Sequence, residues 1–235
     1  MTQSPSLQTT LKDRTDAGRR LVEPLLKYAH RPDVIVLALP RGGVPVAFQV
    51  VKALSVRLDL MLVRKLGVPS NPEFAMGAIA SGGIQIRNEE ALRAHPITPA
   101  AFDAVVAHET RELQRREQLY RGARPPLQLK GQVVILVDDG LATGASMMAA
   151  IRAVRMQAPA RIVVAVPVAP LETMNTLSFE VDEVICPLMP EWMMSIGYWY
   201  LSFPQVPDEE VIDLLQLAWQ REAATGASVQ GSVDD

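Results

Sequence analysis

The chain has a single cysteine, Cys186, so no disulfide can close within it, and a reducing, cytoplasmic setting is expected. It has no excess of positive charge. Its 23 Lys and Arg stand against 26 Asp and Glu, a formal net charge of -3, which argues against nucleic acid as a partner. The opening residues show no basic head before an apolar run, so no signal peptide is expected. No apolar stretch reaches spanning length without charges or prolines, so no membrane is expected either. His30, His95 and His108 are widely spaced and make no metal motif. No GxGxxG follows a strand pattern, and Ser195-Ile196-Gly197 is not a nucleophile elbow.

What is present is 235 residues, 49% of them hydrophobic, enough for one full core with room for an insertion or cap. Residues 34–39, 58–63, 133–137, 162–168 and 181–185 are short apolar runs that suit buried parallel strands. Helical patterns lie between and around them, at 16–28, 44–54, 98–120, 146–156 and 208–219. The pattern predicts an α/β fold, a doubly wound, mainly parallel five-stranded sheet, as a single domain over residues 11–219. Residues 67–87 carry Pro69, Pro72, Gly77, Gly82 and Gly83 and read as a flexible loop with a short hairpin at 76–80 and 84–87. The Gly-, Ser- and Asp-rich tail, 225–235, reads as disordered.

The chemistry concentrates in Val137-Asp138-Asp139-Gly140-Leu141-Ala142-Thr143-Gly144-Ala145-Ser146. An apolar strand ends in two carboxylates, which suit sugar hydroxyls or a hydrated magnesium ion. Residues 142–146 then offer backbone N–H groups, two hydroxyls and a helix N-terminus to a phosphate. A ribose 5-phosphate has both kinds of group. Ala145 stands where a P-loop would have its lysine, which excludes that motif. The plain alternative is a strand-to-helix turn capped by Ser146.

The segment resembles the signature of type I phosphoribosyltransferases, which bind 5-phosphoribosyl-1-pyrophosphate (PRPP). The resemblance implies that Asp138 and Asp139 bind the ribose hydroxyls and the metal, Mg2+, and that Ala142, Thr143, Gly144, Ala145 and Ser146 cradle the 5-phosphate. Arg41, Gly42 and Gly43, at the end of the first core strand, fall where the family binds pyrophosphate. Arg64-Lys65, read as closing the second strand, is similar to a pair in adenine-type members and implies cations for the leaving pyrophosphate. Both segments can also be read plainly, as a tight turn and a solvated basic pair. Residues 67–83 then match the family's catalytic loop, with Asn71 and Glu73 as its reaching polar side chains.

The whole chain, over residues 11–217, is similar to a bacterial group of uncharacterised phosphoribosyltransferase-domain proteins. The shared features include Asp13-Arg14, Asp16-Ala17-Gly18, 39–45, 64–67, Met76-Gly77-Ala78 and Trp199-Tyr200. Enzymes acting on 6-oxopurines place an acid where this chain has Ala142, which speaks against hypoxanthine or guanine. The base-gripping hood falls to the piece around Asp13, Arg14 and Asp16 or to residues 187–203, whose aromatics serve equally as packing.

The expected activity is Mg2+-dependent transfer of phosphoribosyl from PRPP to an unidentified small acceptor, by a homodimer. Two alternatives stand beside it: a PRPP- or nucleotide-sensing module without turnover, and hydrolysis or phosphorolysis of a phosphoribosyl compound. Asp139→Asn is expected to weaken PRPP turnover or binding severely and barely affect folding.

Overall fold

The computed structural model describes residues 10–69, 71–94 and 97–230, without the side chains of residues 72, 73 and 225–230. His95, the Glu73 side chain, residues 1–9 and residues 231–235 of the tail lie outside the described residues.

The helix α1 (Arg14–Leu25) begins where the Asp13 side chain accepts the Asp16 N–H, and its buried face is Ala17, Gly18, Leu21 and Leu25. A 3-10 turn, Leu26–Tyr28, carries the chain to β1 (Val34–Ala38), which is buried at all five positions. The chain continues through α2 (Gly43–Leu54) to β2 (Arg57–Leu60). After an insertion it returns as β6 (Val133–Val137), α5 (Ala145–Arg155), β7 (Arg161–Ala165), α6 (Leu171–Ser178) and β8 (Glu183–Ile185). The final helix is α7 (Asp208–Gln230), with three acids in its first turn, where the helix dipole favours them.

The five core strands are parallel, in the order β2-β1-β6-β7-β8. Successive side chains of a strand point to opposite faces. Val34, Val36 and Ala38 therefore feed one core, shared with α1, α2 and α7, while Ile35 and Leu37 feed the other, shared with α5 and α6. Both faces are covered, which is why these strands read as unbroken apolar runs.

The order reverses between β1 and β6. The chain leaves β1 toward β2 on one side and leaves β6 toward β7 on the other. Such a switch point opens a crevice at the carboxyl ends of the two strands, where open α/β sheets bind ligands.

The insertion is more ordered than its composition suggests. It forms an antiparallel sheet of β3 (Val63–Val68), β4 (Asn71–Ala80) and β5 (Ile84–Arg87), followed by α3 (Glu89–Ala94) and α4 (Pro99–Arg121). The expected hairpin is present, with Ala80 opposite Ile84. The second core strand, however, stops at Leu60, and Arg64-Lys65 belong to β3, in the other sheet. Helix α6 was not anticipated, and α7 runs on to Gln230, past Trp219 and through residues 225–230 of the segment expected to be disordered.

Candidate active site at the switch point

The loop after β1 and the turn after β6 meet across the crevice. The Leu39 N–H donates to the Val137 carbonyl at 2.9 Å, which extends the pairing one residue beyond β1. The Pro40–Arg41 peptide is cis. Gly42 and Gly43 then press against the acid pair. A Cβ on Gly42 would lie 1.9 Å from Asp139 Oδ2, and one on Gly43 would lie 2.7 Å from the Val137 oxygen. Close approach, more than unusual dihedral angles, is what requires glycine at these two positions. The Gly43 N–H turns back to the Leu39 carbonyl at 3.0 Å.

Asp139 is buried and held on two sides. Arg14 Nε donates to its Oδ2 at 2.8 Å, and the Tyr200 hydroxyl donates to its main-chain oxygen at 2.5 Å. Asp138 accepts the Asp139 N–H on Oδ1 at 2.8 Å. It lines a cavity of about 100 Å3 with Pro40, Arg64, Arg116 and Ser146. Burial and the neighbouring Asp139 carboxylate push the Asp138 carboxyl well above the usual carboxylate range. Burial raises Asp139 as well, against the pull of the Arg14 guanidinium.

The second half of the turn is open. Ala142, Thr143, Ala145 and Ser146 are exposed, and Gly144 takes the left-handed conformation (φ 71°) that starts α5. The first N–H groups of a helix have no partner inside it. Here they stand beside two hydroxyls, those of Thr143 and Ser146. The turn is braced from α6, where Thr173 Oγ1 donates to the Ala142 carbonyl at 2.8 Å. A larger cavity, about 510 Å3, runs along Ala142, Thr143, Gly144 and Ala145 toward Thr173 and Thr176. This half presents the Thr143 and Ser146 hydroxyls to solvent.

The expected cations are distributed less simply. Arg64 lines the cavity with Asp138, but its Nε and Nη2 lie 2.7 and 2.6 Å from Glu109 Oε2 of α4. Lys65, the next residue on the strand, lines a different cavity, of about 240 Å3, with Ser146 and Arg152. Arg41 Nη1 lies 3.6 Å from Asp208 Oδ1, the same oxygen to which the Tyr120 hydroxyl donates at 2.5 Å. The structure thus brings Asp138, Arg64 and Ser146 onto one cavity, sends Lys65 to another, and places Arg41 against the start of α7.

Two expectations change. Asp139 is the buried partner of an ion pair, so its replacement is now expected to cost stability, because breaking such a pair strands a charge. Arg14, named only as part of a hood, reaches the acid pair itself. Nothing in the sequence spacing links positions 14 and 139. The aromatics of 187–203 divide: Tyr200 is buried and Trp199 and Phe203 pack on the core, while Trp192 and Tyr198 are exposed at 60% and 42%.

A parallel sheet with a paired-acid, small-residue turn at its switch point defines a class of α/β domain. The family follows from comparison. The phosphoribosyl transferase domain model matches residues 8–198, and the chain belongs to that family. Two Mycobacterium tuberculosis proteins, from strains CDC 1551 / Oshkosh and H37Rv, each bear the name "Putative phosphoribosyl transferase" and are 41% identical to this chain over 215 residues. The match covers 92% of this chain and 48% of theirs, so the chain spans about half the length of these curated relatives. The crystal structure of TT1426 from Thermus thermophilus superposes with a TM-score of 0.77 at 41% identity, over 88% of this chain and 97% of that one. Among the described residues no helix is long and apolar enough to cross a membrane.

Proposed function

We propose that this chain is a magnesium-dependent phosphoribosyltransferase that binds PRPP and passes its phosphoribosyl group to a small acceptor, releasing pyrophosphate. One observation carries the reading. In a chain of this family, a carboxylate pair and an open helix N-terminus share a single turn at the sheet's switch point. Asp138 and Asp139 would hold the ribose hydroxyls, residues 142–146 the 5-phosphate, and Arg41, Gly42 and Gly43 the pyrophosphate, with Arg64 and Lys65 balancing its charge.

Among the described residues no three or more His, Cys, Asp or Glu converge as a metal site, and one of the two acids is already paired with Arg14. Magnesium commonly keeps its waters and uses one or two carboxylates together with substrate phosphates. The donor set fits an ion that arrives on the pyrophosphate and is met by Asp138 and Asp139. Such an ion supplies charge neutralisation on the phosphates. The rest falls to the chain: fixed N–H donors on the phosphates, carboxylates on the sugar, and cations near the leaving group. Each well-placed donor in such a site contributes on the order of 3 kcal/mol. The homodimer and the cytoplasmic setting belong to this same reading.

A second reading, a PRPP sensor without turnover, draws on the engagement of Arg64 by Glu109 and of Arg41 by Asp208. Isothermal titration with PRPP, with and without magnesium, separates the readings when followed by an assay of pyrophosphate release. Magnesium-dependent binding with release only in the presence of an added base supports transfer. Release without any acceptor indicates hydrolysis. Binding without consumption supports the sensor, and no binding in either condition removes PRPP from the reading.

A further inference from the structure

Arg14 lies in the first turn of α1, 125 residues before Asp139, yet its guanidinium is seated on that acid. Its Nε donates to Asp139 Oδ2 at 2.8 Å and its Nη1 donates to the Pro204 carbonyl at 2.6 Å. The guanidinium carbon lies 3.9 Å from the centre of the Phe203 ring. The Arg14 and Asp139 side chains are each only 11% exposed.

The strap that supplies this seat, residues 199–204, is itself tied to the chain just before Arg14. The Leu11 N–H donates to the Trp199 carbonyl at 2.9 Å, the Leu201 N–H to the Leu11 carbonyl at 2.8 Å, and the Ser202 N–H to the Lys12 carbonyl at 3.0 Å. From the same strap, the Tyr200 hydroxyl reaches the Asp139 main-chain oxygen. One acid of the turn is therefore gripped at side chain and backbone by two segments far apart in sequence. Tyr200, Phe203 and Pro204 all lie beyond residues 8–198, the part that the family model matches.

We propose that Arg14 is a positioning residue that locks the Asp139 carboxylate in one orientation before any ligand arrives. The lock needs arginine. A planar guanidinium bonds two acceptors in different directions while its face rests on an aromatic ring, whereas an ammonium is a point charge that cannot do all three. A carboxylate ordered in advance does not have to be ordered on binding, which is how preorganised polar groups gain affinity. That the ligand is PRPP rests on the reading above; the lock itself does not.

The test compares wild type with Arg14→Met, which keeps an unbranched apolar stem but neither charge nor donors, with Arg14→Lys, and with Phe203→Leu. Two readouts are taken at a temperature where each variant is folded: amide hydrogen exchange over residues 138–146, and PRPP affinity by titration calorimetry. For Arg14→Met we expect exchange in that turn to quicken about tenfold with β1 and β7 unchanged, and PRPP affinity to fall about tenfold, about 1.4 kcal/mol. Arg14→Lys should recover only part of each, and Phe203→Leu should shift both in the same direction by less. Unchanged exchange and affinity in Arg14→Met, or full recovery with lysine, would overturn the lock. If wild type binds no PRPP, the transferase reading falls and exchange alone decides: quickening confined to 138–146 upholds the lock, and a uniform change or none overturns it. If Arg14→Met does not fold, the other two variants decide in the same way.

Discussion

In the turn after β6, residues 138–140 are enclosed, whereas residues 142–146 stand largely open. The enclosed half is pressed by Gly42 and Gly43, held by Arg14 and Tyr200, and covered by Ile196 and Val168, which a Cβ on Gly140 would strike at 2.7 and 3.1 Å. The open half is braced from α6 by Thr173. One short segment thus ties its acids into the packed molecule and leaves the hydroxyls of its second half at the surface. Substitutions in the two halves should separate these effects.

The largest effect is expected at Asp139. Asp139→Asn leaves the buried Arg14 charge without its counter-charge, and should cost about 3 kcal/mol. In a chain of this size that lowers the melting temperature by roughly 10 °C, measurable by calorimetry. A melting temperature within a degree of wild type would erase the distinction between the halves. Next is Gly42→Ala. Its methyl group would overlap the Asp139 carboxylate, and the displacement should cost about 2 kcal/mol, read by urea unfolding.

Ser146→Ala should act the other way round. Stability stays within about 0.5 kcal/mol, since the side chain is exposed. PRPP affinity drops by about tenfold for one lost bond to a charged group.

The smallest effect, and the one with opposite sign, is expected at Asp138. Its carboxyl is raised in the folded state, so the stability linked to it is fully present below the unfolded value and is lost as pH rises through the folded one. Asp138→Asn retains an oxygen for the Asp139 N–H and removes that penalty. It should stabilise the protein by about 1 kcal/mol at pH 7 while weakening PRPP binding, and the gain should vanish in acid. Thermal melts across pH would show it; a gain that grows toward low pH would contradict the assignment.

The parts of this arrangement that the sequence discloses are local. The apolar run 133–137, the paired acids and the small-residue turn lie consecutively, and their meaning does not depend on distant chain. The same holds for the helix at 99–121, where Thr98 Oγ1 accepts the Ala101 N–H ahead of the Pro99 start. Arg64-Lys65 misled because an apolar run leads into them, while the chain in fact crosses from one sheet to another at Met61-Leu62. The glycines and prolines of 67–83 read as loop, and the strand pair there does slip register on both sides of Gly67. Helix α6 is eight residues long and buries only Met174 and Leu177, too little periodicity to notice. The pairing of Arg14 with Asp139, and of Arg64 with Glu109, exists only once the sheet has formed.

The strap across residues 199–204 also sets when the site can come into being. A growing chain contains the whole signature once Ser146 has been added, but the seat for Arg14 arrives with Phe203 and Pro204, and the grip on the Asp139 backbone with Tyr200. Until then the turn has its acids without their restraint.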